Sequence, residues 1–249
     1  VRDFLAFQLH GPLAAWGESA VGQERDSSLQ PSRSAVLGLL AAAAGIRRDA
    51  DADHLALSRD LGFGCVALSA GLGMRDFHTA QRAKSYSRVK HLKTRRDELA
   101  HDKIDTVISY RGYRQDSLAV AAVWTRGDET VSLEHLAGAL QRPVFTLYLG
   151  RRACPLALPL NPVILTCAAL KDALDAYATD HLDAAVRSKG FVGQAAVSYH
   201  WDALDAAGMS ADAVVTRHDD VLSRVRWQHG EREEHMAWQS AQEVDRVPQ

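Results

Sequence analysis

Long apolar runs are absent from this chain of 249 residues. No stretch reaches the roughly 18 consecutive apolar residues that read as a membrane span. The first residues, Val-Arg-Asp-Phe-Leu-Ala-Phe-Gln-Leu-His-Gly, have neither the basic leader nor the small-residue cleavage site of a secretory signal. The expectation is a cytoplasmic protein with no membrane partner. Cysteine is also scarce. Cys65, Cys154 and Cys167 are odd in number, far apart and set in apolar surroundings, which fits reduced, packed thiols rather than a disulfide framework or a zinc knuckle. His229, Glu231 and His235 lack a recognised metal-ligand spacing and read as the tip of an exposed hairpin around Gly230. Gly71 to Met74 has no Gly-x-Gly-x-x-Gly spacing and no Walker loop exists, so nucleotide cofactors are not indicated. Neither a cofactor nor a metal is expected, and no internal repeat or low-complexity tract stands out.

What remains is ordinary globular material, 47% hydrophobic and 24% charged, with a formal net charge of −2. That near-neutrality hides two opposite halves. Between Arg75 and Arg114 there are 11 Lys/Arg against 5 Asp/Glu, interleaved with Tyr86, Tyr110 and Tyr113. From Lys171 onward there are 8 basic and 14 acidic residues. Clustered cations neutralise phosphates, and aromatic faces stack on unpaired bases, so the middle segment suits single-stranded nucleic acid. A solvated surface loop is the competing reading. Phosphates would repel the acidic remainder, which is assigned to solvent or to a protein partner.

Phe4 to Leu9 reads as a strand stopped by Gly11-Pro12, followed by a polar loop through Trp16 to Ser28 that carries Arg25. Ser32 is placed to cap a strongly apolar helix that ends at Gly45. A short helix over 53–61 closed by Gly62, then strands over 63–69, 118–124 and 144–149 with a helix from Ser132 or Thr130 to Leu140, complete a β-α-β-insertion-β-α-β order. That order is the ferredoxin-like (RRM-like) α+β pattern, with the hairpin between its second and third strands enlarged. Hairpin loops normally take about 2 to 5 residues, so an insertion of about 40 is most often functional. The division expected is a first domain over 1–155, with a long β-hairpin thumb insertion at about 76–114, and a smaller β-rich C-terminal domain over 156–249. In the latter, 171–185 reads as a modest helix, and Val225 to Trp227 against Met236 to Trp238 reads as a hairpin.

Three sites invite phosphate. Ser32, Arg33 and Ser34 lie in the first turn of the apolar helix, where free N–H groups attract anions, although simple capping explains them too. Gly150-Arg151-Arg152 leaves a strand at a glycine that lets a ligand approach the backbone, although paired arginines at strand exits are common surface chemistry. The inserted segment supplies the rest. Lys189 to Gly193 bears a superficial likeness to the octamer of RNA-recognition motifs, without the aromatic order that stacks bases. His78, His91 and His101 near Lys84, Lys90, Lys103 and Tyr86 make a metal-independent ribonuclease chemically possible, with nothing fixing their geometry.

Phe7 to Gly17, Pro31 to Ile46 and Tyr148 to Leu156, taken together, resemble the CasD family of subunits in type I-E CRISPR Cascade complexes, within the RAMP superfamily. Arg75-Asp76-Phe77-His78-Thr79 is similar to that family's Arg-Asp-Tyr-His-Thr, with Phe77 in place of Tyr. The likeness covers most of 1–160 and weakens beyond. It implies a ferredoxin-like RAMP domain that holds the 5′ handle of a CRISPR RNA (crRNA), caps a row of CasC-like backbone subunits and touches a CasA-like large subunit, with target DNA near the guide. It also implies that the chain is not an enzyme, processing being done elsewhere; the alternative is a metal-independent endoribonuclease that cleaves CRISPR repeat RNA, as in some relatives. On this resemblance Ser32, Arg33, Ser34, Gly150, Arg151 and Arg152 contact handle phosphates or sugars, and Arg25 of the polar loop is counted as RNA-binding beside them. Arg75, His78, Arg82, Lys84, Tyr86, Lys90, Lys93, Tyr110, Arg111 and Arg114 grip the junction of handle and spacer.

Overall fold

The computed structural model describes residues 1–17, 20, 22–83, 94–100, 104–127, 131–188, 197–204 and 206–239. In chain order these form β1 (Arg2–His10), β2 (Leu13–Ala14), β3 (Glu24–Arg25), α1 (Arg33–Ala43), α2 (Asp51–Asp60), β4 (Leu61–Ser69), β5 (Leu72–Ala83), α3 (Arg95–Leu99), β6 (Ile104–Gln115), β7 (Leu118–Thr125), α4 (Leu133–Gln141), β8 (Val163–Cys167), α5 (Leu170–Ala176), a π-helical turn (Tyr177–His181), α6 (Ala184–Arg187), β9 (Val197–Trp201), β10 (Ala213–Ser223) and β11 (Gln228–Gln239).

Seven strands make one antiparallel sheet in the order β10-β11-β9-β4-β7-β1-β8. Its central strands are apolar at nearly every position because both faces are covered. Alternation divides them: Leu5, Phe7 and Leu9 of β1 and Phe63 and Cys65 of β4 pack with α1 and α4, whereas Phe4, Ala6, Val66 and Trp124 pack with α5 and Tyr177. Ser32 caps α1 by accepting from the Ala35 N–H, and Ser132 caps α4 by accepting from His135. The result is a mixed α/β structure around a large antiparallel sheet, with residues from both sides of position 155 in that sheet.

A second sheet stands apart from the first. In it β5 and β6 pair antiparallel over 12 residues each, from Leu72 opposite Gln115 to Ala83 opposite Ile104. β2 and β3 flank the other side of β6, the first antiparallel and the second parallel. This is the inserted arm that the charge pattern marks.

Three expectations about elements are corrected. Residues 144–149 do not form a strand, and only Tyr148 bridges to Pro155. The strand beside β1 is instead β8, reached after a Pro-rich passage. The turn between β10 and β11 falls at 224–227, not at Gly230, which lies within β11 opposite Asp220. The modest helix expected over 171–185 is split, with Leu182 and Asp183 outside any helix between the π-helical turn and α6.

Candidate nucleic-acid interface

Pleating sorts the arm's side chains into two faces. Residues directly opposite in an antiparallel pair point the same way, so Phe77 with Tyr110 and Arg75 with Gly112 share one face. On it the Phe77 and Tyr110 rings lie 5.5 Å apart at 53°, and the Arg75 guanidinium sits 4.3 Å from the Tyr110 centroid. Glu24 of β3, opposite Tyr110, accepts from Arg75 at 2.6 Å and holds it across the ring. Arg75 and Phe77 remain 61% and 58% exposed, so the stack has a free side. An aromatic pair crossed by a guanidinium accepts an unpaired base on its π-face, at about 1–3 kcal/mol per base.

The other face carries Arg111, Tyr113, His78 and Asp76. Arg151 reaches it from the loop after Leu149. Its guanidinium lies 4.7 Å from the Tyr113 centroid and donates to the carbonyls of Gly112 (2.9 Å) and Arg25 (2.8 Å). One side chain therefore ties the loop to β3 and β6. Gly150 makes this approach possible: its φ is +82°, and a Cβ there would fall 1.9 Å from the Ala15 carbonyl oxygen. Gly112 plays a similar part, since a Cβ would stand 3.0 Å from the Ser27 nitrogen, where the chain after β3 crosses β6.

The other arm residues fall around these two groups. Arg25 is exposed and donates to the Ala20 carbonyl, and Arg152 is exposed beside Arg151. Arg114 donates to the Ala70 and Gly71 carbonyls, both at 2.7 Å, which fastens the root of the arm. Arg111 donates to Ser109, Arg82 pairs with Asp105 at 3.5 Å further out, and His78 lies 3.9 Å from Asp76. Lys84, Tyr86, Lys90, His91, Lys93, His101, Lys103 and 189–193 lie outside the described residues. Sequence reasoning missed Glu24, whose signal was only its place beside Arg25.

Arg33 is a correction. It does not face a ligand: it is 2% exposed and donates to Asp202 (3.0 Å), Asp220 (2.8 Å), the Ser58 hydroxyl (2.9 Å), the Ser58 carbonyl and the Leu61 carbonyl (3.1 Å). All its donor nitrogens are engaged within the protein. The phosphate seat expected at the start of α1 is likewise taken by the chain itself, because the Ser34 N–H donates to the Asp219 carboxylate at 3.2 Å while Ser32 serves as the cap. A carboxylate at a helix N-terminus satisfies the same donors that a phosphate would.

These contacts belong to a buried ionic network. Asp202 also meets Arg126 and Arg232, Asp219 meets Arg232, and Glu234 meets Arg217, Arg232 and His200. Burial raises the Asp202 carboxyl despite Arg33, Arg232 and Arg126. Burial would raise Glu234 as well, but the His200 hydrogen bond and the Arg232 and Arg217 charges outweigh it and hold that carboxyl at about 2. So part of the acidic C-terminal half is neither in solvent nor against a partner. It is internal counter-charge that joins α1 and β7 to β9, β10 and β11.

Among the described residues, no three His, Cys, Asp or Glu side chains are arranged to hold a metal ion, and no helix is long and apolar enough to cross a membrane.

The protein is of the mixed α/β class, a large antiparallel sheet with helices on both faces and a projecting arm that carries a tilted aromatic pair beside guanidiniums. The sequence model of the CRISPR-associated protein (Cas_Cas5) family matches residues 4–234. This chain therefore belongs to the CRISPR-associated Cas5 family. It is 33% identical over 168 residues to the "CRISPR system Cascade subunit CasD" of Escherichia coli (strain K12), a match covering 64% of this chain and 70% of that protein. Its fold is similar to a chain of a solved "CRISPR RNA-guided surveillance complex" (TM-score 0.63, 22% identity, 95% of this chain and 90% of that one). It is also similar to a structure described as "Crystal structure of Cas protein" (TM-score 0.56, 20% identity, 96% of each chain).

Proposed function

We propose that this chain is the non-catalytic RNA-binding subunit of a Cascade-type CRISPR surveillance complex, in which it holds the 5′ handle of the crRNA, caps CasC-like backbone subunits and meets a CasA-like large subunit near target DNA. The observation that carries the RNA assignment is the exposed Arg75-Tyr110-Phe77 cluster, with Arg151 tying the neighbouring loop to the base of the same arm and Arg152 exposed beside it. The strand order β4-β7-β1-β8, with α1 and α4 on one face, supports reading the core as a ferredoxin-like RAMP unit whose hairpin between its second and third strands is drawn out into a thumb. Family membership and the likeness to a Cascade subunit support the assembly role.

On this reading Arg75, Tyr110 and Phe77 receive a base. Arg25, Arg111 and Arg152 face phosphates, with His78 and Arg82 further along the strand and Arg114, Gly150 and Arg151 shaping the base of the groove. The test is a binding series between the purified chain and a single-stranded handle RNA, in EDTA, at increasing salt. Affinity that falls steeply with salt while the RNA stays intact is the expected result. Absence of salt-dependent binding overturns RNA holding, and one discrete cut abolished by His78→Ala replaces it with the endoribonuclease reading.

A further inference from the structure

Glu24 is an unexpected residue on a surface that holds a polyanion, because a carboxylate repels phosphates. The arm's register shows where it projects. Glu24 stands opposite Tyr110 and therefore shares the face of Phe77, Arg75 and Thr79, whereas Asp76 and Asp105, opposite Arg111 and Arg82, belong to the other face. Along β5 the exposed residues Gly73, Arg75, Phe77 and Thr79 alternate with the half-buried Met74, Asp76 and His78, so the face of Glu24 is the open one. Among the described residues of β3, β5 and β6, Glu24 is the one acid on it.

The cations of this face are occupied. Arg75 is neutralised by Glu24 at 2.6 Å, and Arg114 donates to the Ala70 and Gly71 carbonyls at the root of the arm. Arg25 and Arg111, paired in register, project on the opposite face. Rings with one balanced ion pair suit bases rather than the phosphates that link them.

Holding Arg75 does not exhaust the carboxylate. Its two oxygens offer about four acceptor sites, and Arg75 Nη2 takes one of them, at Oε1. Among the described residues no second donor reaches Glu24, which stays 53% exposed beside the rings. The carboxylate can therefore accept from the edge of a base laid on the cluster.

The four bases are unequal before a carboxylate. On its Watson–Crick edge guanine sets two donors side by side, N1–H and the N2 amine. Adenine and cytosine each offer one amine next to a bare ring nitrogen whose lone pair opposes the carboxylate, and the N3–H of uracil lies between two carbonyl oxygens. Single-stranded RNA leaves these edges open to side chains while the bases stack. A two-point contact to a base edge discriminates by roughly 5- to 150-fold.

We propose that Glu24 reads a guanine base stacked on the Arg75-Tyr110-Phe77 cluster, its carboxylate accepting from N1–H and the N2 amine while Arg75 stays bound at Oε1. This rests on the RNA-holding role proposed above and makes one position of the held strand base-specific.

The test measures salt-dependent binding of the purified full chain, in EDTA, to oligouridines of about ten nucleotides with one central guanosine, inosine, adenosine or cytidine. The guanosine RNA is expected to bind at least about fivefold more tightly than the adenosine and cytidine RNAs. Inosine, which keeps N1–H and lacks the amine, is expected between them. Glu24→Gln keeps a carbonyl oxygen for Arg75 but replaces one acceptor with a donor. It is expected to bring guanosine binding down to the adenosine level or below, with salt dependence and melting temperature retained. A carboxylate that only positions Arg75 would instead weaken all four RNAs together and leave their ratios unmoved, which overturns the guanine site. Equal binding of the four RNAs by the parent, a preference for another base, or a guanosine preference that survives Glu24→Gln also overturns it, and each of these leaves RNA holding intact. Absence of salt-dependent binding to any of the four overturns RNA holding, and the guanine site with it.

Discussion

Arg151 stacks on Tyr113 at 4.7 Å while its two terminal nitrogens hold the carbonyls of Gly112 and Arg25. The neighbouring Arg152 is exposed. The two guanidiniums of one dipeptide thus differ: the first binds the loop to the arm, and the second, exposed, is the one that the proposed function gives to a phosphate. Arg152→Ala is expected to weaken handle binding and to flatten the salt slope by about 0.7, the share of one phosphate left without its cation, with no change in melting temperature. Arg151→Ala is expected to lower affinity and the melting temperature together. Salt-dependent binding and thermal melts check both.

Loss of stacking has a different signature. Phe77→Ala or Tyr110→Ala is expected to cost about 1–3 kcal/mol in binding of single-stranded RNA, roughly 5- to 150-fold, while the salt slope stays that of the parent. A changed slope with unchanged affinity at low salt would place these rings outside the interface.

Arg33 serves stability rather than binding. Arg33→Met takes its arginine from Asp220 and one of three arginines from Asp202, which keeps Arg126 and Arg232, so the cost is expected at or below the about 3–5 kcal/mol of breaking a buried ion pair. Denaturant unfolding is expected to show that loss, and the fraction still folded is expected to bind handle RNA as the parent does. Weakened binding in fully folded Arg33→Met would return Arg33 to the interface.

The arm was legible in the sequence because its charge and its tyrosines are local, concentrated between Arg75 and Arg114. So were α1 and its cap, since Ser32, the apolar spacing and Gly45 lie within one short window. Arg33 was not legible: its acidic partners stand 169 and 187 residues away, and a cation in a first helical turn looks the same whether solvent or Asp202 faces it. The 144–149 stretch has strand composition but is consumed by seating itself on α1 through Val144 and Phe145. Pro159 and Pro162 disguised the approach to β8, which becomes a strand because β1 offers it an unpaired edge. Glu24 was invisible because its role exists only when β3 lies beside Tyr110.

Acid should act through Glu234. Its folded pKa, about 2, lies below the ordinary Glu value, so it contributes stability above about pH 4.3 that is lost as pH falls toward 2, on the order of 3 kcal/mol. Asp202, raised by burial, acts with the opposite sign and is relieved as it protonates. Urea unfolding at pH 6, 4 and near 2 is therefore expected to show Glu234→Gln well below the parent at the first pH and close to it at the last. A gap that does not change with pH would contradict this role.

Ultraviolet crosslinking of guide RNA to this chain in the purified complex, with the joined peptides sequenced, addresses the RNA interface most directly. Handle nucleotides are expected on peptides that carry Phe77, Tyr110 and Arg151–Arg152. Handle crosslinks confined to β10, β11 or the outer side of α1, with none on β5, β6 or the 150–152 loop, would contradict it.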